Sequence, residues 1–269
     1  MLVNPLPDTD VPASALPERD QPLQLVHRDD HLAVVNKPAG LLAHRSGMAA
    51  YETDFLLDRL REQLGRRCHL IHRLDRATSG ALLIAFDATM ARQLGEQFMS
   101  REVSKTYLAV ARGHLDDSGC IDHPLDAPGK PQPKPALTHY RRLASIELPI
   151  ALGRYESVRY SLLALQPETG RYRQLRRHLK HISHHLVGDT SHGEGRHNRL
   201  FRVEFGVHRM LLHAWRLSFQ HPALGTRMDI AAPLDTEWQR ILHRFEWETA
   251  LPPNDPFADM AQSCVGSTP

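Results

Sequence analysis

His69-Leu70-Ile71-His72-Arg73-Leu74-Asp75-Arg76-Ala77-Thr78-Ser79-Gly80 runs straight into the uninterrupted apolar stretch Ala81–Phe86. Six consecutive apolar residues after turn chemistry predict a buried strand. A polar loop feeding such a strand is a favoured place for functional groups, because the strand fixes it while the loop faces solvent. Asp75 stands between Arg73 and Arg76. A carboxylate so placed serves either as a nucleophile or as half of a structural ion pair, and the stretch alone leaves both open.

Strand and helix signals alternate outward from this segment. Leu32 to Val35 predicts a short strand, stopped by Asn36-Lys37-Pro38-Ala39-Gly40. Phe55, Leu56, Leu60 and Leu64 have helical spacing, with Gly65 as the C-terminal stop. Ala91, Leu94 and Phe98 mark a second helix, and Thr106 to Ala111 a strand. Residues 126–136, with Pro128, Pro131, Pro133 and Pro135, predict a loop. Tyr160 to Leu165 predicts a strand leading into the turn Glu168-Thr169-Gly170, and Leu175, Leu179 and Ile182 a helix over 173–182. A long strand over Met210 to Phe219 and a helix marked by Trp238, Ile241, Leu242 and Phe245 complete the set. Strands mixed with helices in no regular βαβ rhythm predict an α+β fold, with a mixed, mostly antiparallel sheet flanked by helices. Residues 1–22 and 251–269, rich in proline and acid, are expected to be flexible tails around one domain over 23–250.

At 269 residues, with 41% hydrophobic and 24% charged residues, the chain is long enough for a sizeable core and has the balance of a soluble protein. Its longest apolar run falls far short of the roughly 18 residues a membrane span needs. The first residues lack a basic-then-apolar signal, so no secretory segment is expected. Cys68, Cys120 and Cys264 are few and widely spaced, which excludes a disulfide scaffold or a cysteine zinc site as the organising feature and fits a reducing cytoplasm. His178, His181, His184, His185 and His192 cluster, but no H-E-x-x-H pair accompanies them, and no metal is expected. The net charge of +2 hides a polarised chain: residues 1–30 and 246–269 each carry −4, so residues 31–245 carry +10. The densest part is Arg171, Arg173, Arg176, Arg177 and Lys180, with no acid among them. Such a segment suits a polyanion such as nucleic acid, or forms a solvated basic face.

The central stretch is also a signature. His72-Arg73-Leu74-Asp75-Arg76-Ala77-Thr78-Ser79-Gly80 resembles the central motif of the RluA-type pseudouridine synthases. Four further stretches resemble that family in the same order: Val34 to Leu42, Lys105 to Ala109, Gly170 to Leu179 continued by Leu186-Val187-Gly188-Asp189, and Leu211 to Ala214 followed by His221-Pro222. Five ordered motifs over residues 23–245 are far more specific than any one. Ala43-His44-Arg45-Ser46, Pro131-Gln132-Pro133, Thr138 to Arg141 and Gly153-Arg154-Tyr155 resemble the branch of the family that modifies uridine 65 of certain tRNAs.

The resemblance implies the pseudouridine synthase fold without the S4 RNA-binding domain that precedes many relatives. It also implies a reaction with no metal or organic cofactor, in which the base of a uridine leaves its ribose, turns, and rejoins through carbon. Asp75 is then the carboxylate acting near the anomeric carbon. Tyr107 stacks on the uracil, and Arg176 pairs with Asp75; a core tyrosine and one more RNA-facing arginine are the plainer alternatives. Arg73 helps hold the stem open after the base is extruded, or contacts a phosphate. Leu212 lines the uracil pocket, or is plain core. Arg171, Arg173, Arg177 and Lys180 are expected to bind substrate. Positions 173, 176, 177 and 180 share a face at helical spacing, suited to the phosphates and 2′-hydroxyls of A-form RNA. The partner implied is tRNA, with no membrane and no protein partner, and a monomer is expected for want of any repeat or heptad. The alternatives are a sister enzyme acting on ribosomal RNA and a non-catalytic RNA-binding protein. Two positions depart from the family pattern: Arg173 stands where histidine is usual, and His184-His185 where His-Pro is usual.

Overall fold

The computed structural model describes residues 21–44 and 52–258, and only the backbone at Pro131. Arg45 and Ser46, Cys264, most of the expected N-terminal tail and the end of the C-terminal one lie outside the described residues.

The frame is a ten-stranded sheet. Its strands are β1 (Leu25–Arg28), β2 (Leu32–Lys37), β3 (His69–Leu70), β4 (Ser79–Ala85), β5 (Ser104–Arg112), β6 (Ser118–Asp122), β9 (Leu137–Leu148), β10 (Val158–Pro167), β11 (Leu212–Gln220) and β12 (Arg227–Ala231). They run in the order β1-β2-β4-β11-β5-β10-β9-β6, with β3 added to β4 and β12 to β11. All pairs are antiparallel except β4 with β11, which is parallel. Five helices cover it: α1 (Leu56–Leu64), α2 (Ala88–Ser100), α3 (Gln174–His181), α4 (Gly195–Phe205) and α5 (Thr236–Arg244). The α+β expectation holds.

The strand alternation sorts the core into two faces. On β4, Leu82 and Ile84 pack with Leu56 and Leu60 of α1, whereas Ala81, Leu83 and Ala85 pack with Met90 and Leu94 of α2. On β5, Leu108 and Val110 meet Phe201 of α4 and Trp238 of α5, whereas Ala109 and Ala111 meet Leu175 and Leu179 of α3. Every residue of β4 is buried, as its apolar run requires. Gly65 caps α1 in the left-handed conformation at φ 62°, also as expected.

The structure corrects several expectations. Residues 126–136 are not a loop: β7 (Leu125–Ala127) and β8 (Lys130–Lys134) form a separate hairpin. Pro131 and Pro133 fall at alternate positions, so their missing N–H groups share one edge of a two-stranded ribbon, where proline is tolerated. Helix α3 begins at Gln174, because Arg173 adopts the left-handed conformation at φ 51° and stands outside it. Strand β9 and helix α4 have no counterpart in the sequence reading. Residues 251–258, within the expected C-terminal tail, lie against the sheet: Phe257 is buried, Thr106 Oγ1 donates to Asp255 Oδ1 at 3.0 Å, and Arg216 Nη2 donates to the Pro252 carbonyl at 3.3 Å. A cluster of proline and acid signals a tail only when no apolar anchor follows it, and Phe257 is such an anchor.

The parallel β4–β11 contact is short, Ser79 and Gly80 against His213 and Ala214. Gly80 has φ 111°, and a Cβ there would overlap the backbone carbonyl of Ala214. Beside it, Arg209 Nη2 donates to Ser79 Oγ at 2.7 Å, and Ser79 Oγ lies 2.7 Å from His213 Nδ1. Burial, with the charge of Arg209 second, pushes His213 down to about 4, so its neutral ring accepts from Ser79. Gly80→Ala is expected to destabilise the fold by about 3 kcal/mol or more, because backbone rather than a flexible side chain blocks the new methyl. Urea unfolding of the two proteins measures it.

Candidate active site

The loop between β3 and β4 is latched to the turn after β2. Lys37, fully buried, donates from Nζ to the carbonyls of Pro38 at 2.7 Å, Leu41 at 2.8 Å and Arg76 at 3.1 Å. Arg76 Nε donates to the Gly40 carbonyl at 2.9 Å, and the Gly40 N–H donates back to the Arg76 carbonyl at 2.8 Å. Thr78 N–H closes the loop on the Asp75 carbonyl at 3.1 Å. Asp75 is therefore carried on a braced turn, with its side chain 31% exposed.

Arg176 reaches that side chain from α3. Its Nη1 donates to Asp75 Oδ2 at 3.2 Å, while Nε and Nη2 each donate at 2.7 Å to the two oxygens of Asp189. Arg176 is 3% exposed and the Asp189 side chain not at all. Burial opposes both charges, yet each overcomes it through the other: Asp189 sits below the ordinary aspartate range and Arg176 above the ordinary arginine range. Asp189 Oδ1 also accepts from the N–H groups of Ser191 and His192, both at 2.9 Å. Asn198 of α4 then fixes the backbone, donating to the Asp189 carbonyl at 2.9 Å. The bidentate pair with Asp189 sets the guanidinium plane and leaves one N–H aimed at Asp75.

These groups line a cleft of about 1260 Å³, between the loop bearing Asp75, the C-terminal half of α2, the start of β5 and the turn 167–173. Asp75, Tyr107, Arg176, Leu212, Arg73, Arg171 and Arg173 all line it. Tyr107 is half-buried, and burial first, then the Asp75 charge, pushes its phenol well above the ordinary tyrosine range. It therefore keeps its proton at neutral pH. Leu212 is 3% exposed and packs with Leu175 and Leu179. Seven arginines and lysines face three acids in the lining, a field that attracts a polyanion.

Arg177 and Lys180 are not part of the cleft lining. The single basic face drawn from positions 173, 176, 177 and 180 does not form. Arg173 precedes the helix, Arg176 turns inward, Arg177 binds Asp126 of β7, and Lys180 alone is left exposed in the last turn. The spacing was helical, but burial of a paired arginine reversed the face. The turn before α3 is pinned by Gln174, 5% exposed, whose Oε1 accepts from Thr169 Oγ1 at 2.6 Å and the Arg171 N–H at 3.0 Å.

Three histidines of the cluster bond to the framework, whereas His181 is exposed and stacks on His123 with ring centroids 3.7 Å apart. His178 lies 3.0 Å from both Thr138 Oγ1 and the His123 carbonyl, His184 2.8 Å from the Arg112 carbonyl, and His185 2.7 Å from the His192 carbonyl. Among the described residues no three His, Cys, Asp or Glu side chains are grouped to hold a metal. The sequence reading placed Asp189 and Gln174 within a motif but assigned neither a role. A signal for Asp189 existed: after Glu168 the next acid in the chain is Asp189, so a buried arginine between them has few sequence-local partners.

Asp189→Asn is expected to destabilise the protein by about 3–5 kcal/mol at neutral pH, because it leaves Arg176 buried with half its partner charge. Asp189 is depressed on folding, so the carboxylate's contribution is complete above the ordinary aspartate pKa and is lost as pH falls through the depressed value. Urea midpoints of parent and variant are therefore expected to converge only in acid.

The model of the RNA pseudouridylate synthase family matches residues 31–181. The chain is 44% identical to the tRNA pseudouridine synthase C of Pectobacterium carotovorum over 86% of its own length and 64% of that protein's. It is 42% identical to the one from Yersinia pestis, over 86% and 93%, and 43% identical to the one from Vibrio cholerae, over 85% and 98%. Among solved structures, human RNA pseudouridylate synthase domain containing 4 superposes with a TM-score of 0.64 at 27% identity, covering 82% of this chain and 92% of that one. Human RNA pseudouridylate synthase domain containing 1 gives 0.61 at 26%, covering 87% and 97%. The chain belongs to the RNA pseudouridylate synthase family.

Proposed function

We propose that this chain isomerises uridine to pseudouridine in tRNA, at position 65. The observation that carries the reaction is the carboxylate of Asp75, partly exposed in a large cationic cleft and held by Arg176 Nη1 beside a protonated tyrosine. The substrate rests on the likeness to proteins named tRNA pseudouridine synthase C.

The target nucleotide leaves its helical stack, because its ribose–base bond cannot be reached within one. Asp75 acts at or next to the anomeric carbon and the N1–C1′ bond breaks. The uracil turns in the cleft against the Tyr107 ring and the Leu212 side chain. Its C5 then bonds to C1′, C5 gives up its proton, and N1 gains one, so composition is unchanged and no redox partner is called for. Arg176 keeps Asp75 oriented through the cycle. Arg73, exposed at the rim, occupies the space the base has left, and Arg171 and Arg173 engage the RNA backbone on the other wall. Arg177 and Lys180 extend that contact outside the cleft. The protein acts as a catalytic domain over 23–250, with residues 251–258 packed against its sheet, as a monomer in the cytoplasm, with no metal or organic cofactor. No helix among the described residues is long and apolar enough to cross a membrane.

Tritium release from uracil-5-tritiated tRNA transcripts tests this reading. The parent is expected to release tritium, Asp75→Asn to fall to background, and a transcript lacking uridine at 65 to release none. Release from ribosomal RNA but from no tRNA would overturn the substrate. No release from either would leave an RNA-binding protein without this reaction. Tyr107→Phe keeps the ring and removes the proton, so single-turnover rates are expected to fall by roughly 10²-fold or more with RNA affinity little changed.

A further inference from the structure

The side of the cleft where α2 meets β5 holds cations that the mechanism above does not use. Lys105 lies two residues before Tyr107 on β5, so both side chains leave the same side of the strand. Both line the cleft. Lys105 is half-buried, with Nζ 5.9 Å from the centre of the Phe98 ring. Among the described residues no carboxylate pairs with it. The nearby acid on α2, Glu96, is bound to Arg92 at 2.8 Å, and Asp75 is bound to Arg176. Its charged neighbour is Arg101, at the left-handed end of α2, which has no acidic partner among the described residues either. Burial and that like charge hold the ammonium below the ordinary lysine range.

His72 completes the group. Its ring stacks on Phe98 with centroids 4.7 Å apart, and its Nε2 accepts the Leu83 N–H at 3.1 Å. Burial, then the Lys105 charge, pushes it down to about 3, so the ring is neutral at physiological pH. With Nε2 accepting, Nδ1 carries the proton and is a donor. A half-buried ammonium, a guanidinium and an imidazole that can donate thus line one part of the cleft, and among the described residues no carboxylate pairs with any of them. Cations taken partly out of water beside one another are costly unless an anion arrives. In a cleft that takes RNA, the anion is a phosphodiester.

We propose that Lys105, with Arg101 and His72 beside it, binds one backbone phosphate flanking the uridine held at Asp75. This rests on the proposed function. The contact holds the strand on the α2 side of the cleft, in addition to Arg171 and Arg173 at the turn before α3.

The test is a cycle between protein and RNA. Target tRNAs are assembled with a single uncharged methylphosphonate at each of the linkages immediately around the target uridine, with 2′-O-methyl controls. KM and kcat for tritium release are measured with the parent, Lys105→Met and Lys105→Arg. Lys105→Met is expected to raise KM about tenfold with kcat within about twofold, and Lys105→Arg to restore most of it. The slope of log affinity against log salt is expected to shallow by roughly one. One neutral linkage is expected to cost the parent a similar factor and to cost Lys105→Met almost nothing more. Effects that multiply at every linkage would overturn the proposal, as would an unchanged KM or a loss confined to kcat. Should Lys105→Met unfold by circular dichroism, Arg101→Gln, on the exposed end of α2, carries the same cycle. A parent that releases no tritium from unmodified tRNA fails at the proposed reaction itself, a separate result that also removes the basis of this contact.

Discussion

The site depends on how one buried guanidinium is shared. Arg176 lies in the interior between two carboxylates, and Asp189 takes two of its N–H groups in a fork. Taking such a charge out of water is unfavourable unless geometry is good and the remaining donors and acceptors are satisfied. Both conditions are met, since Asp189 also accepts two backbone N–H groups and its own carbonyl is held by Asn198. The fork is thus a rigid mount, and what it mounts is the third N–H, which reaches Asp75 across the cleft. The pair with Asp189 is fully buried, whereas Asp75 stays partly exposed. One arginine therefore joins the core to the solvent-facing side of the site.

The same logic governs the loop that bears Asp75. A sheet positions a loop only as well as the loop is tied down. Here Lys37 spends its ammonium on three carbonyls, and Arg76 exchanges hydrogen bonds with Gly40. Where β4 meets β11, Gly80 lets two backbones approach closely, and Ser79, His213 and Arg209 satisfy one another beneath. Lys37, Ser79, His213 and Arg209 are buried, and each is bonded, as buried polar groups must be. The motif that gave the family resemblance is therefore largely scaffolding. Of His72 to Gly80, His72, Arg73, Leu74, Asp75 and Thr78 line the cleft, while Arg76, Ser79 and Gly80 hold the loop in place.

Electrostatics divides the molecule by use. His178, His184 and His185 bond to carbonyls and a hydroxyl of the framework, and Arg177 is tied to the β7–β8 hairpin. The cleft carries cations with no acidic partner among the described residues, Arg73 on the rim and Arg101 and Lys105 on the α2 side. A net charge of +2 conceals that arrangement. The field a ligand meets is set by which charges remain unpaired after folding, not by their sum.

Much of this was readable in the chain. The apolar run Ala81–Phe86 determined a buried strand, because six such residues in series fit nothing at the surface. Helical spacing located α1, α2 and α5, and Gly65 marked a true left-handed cap. The ordered motifs singled out Asp75, Tyr107 and Arg176, and these three do meet. Other features were illegible for a physical reason. Strand β9 mixes polar and apolar residues because it is paired on both edges but only partly covered, so it lacks a clean period. The β7–β8 hairpin hid under prolines that an edge ribbon tolerates. The direction of Arg176 could not be read from spacing, since a helix offers an arginine to solvent or to the core equally well until a partner decides. Asp189 lies 13 residues further along and is brought there by the turn after α3. Sequence by itself determined which residues could be buried and which could do chemistry; tertiary structure alone decided which charges were paired, because pairing depends on distances between segments that local periodicity does not encode.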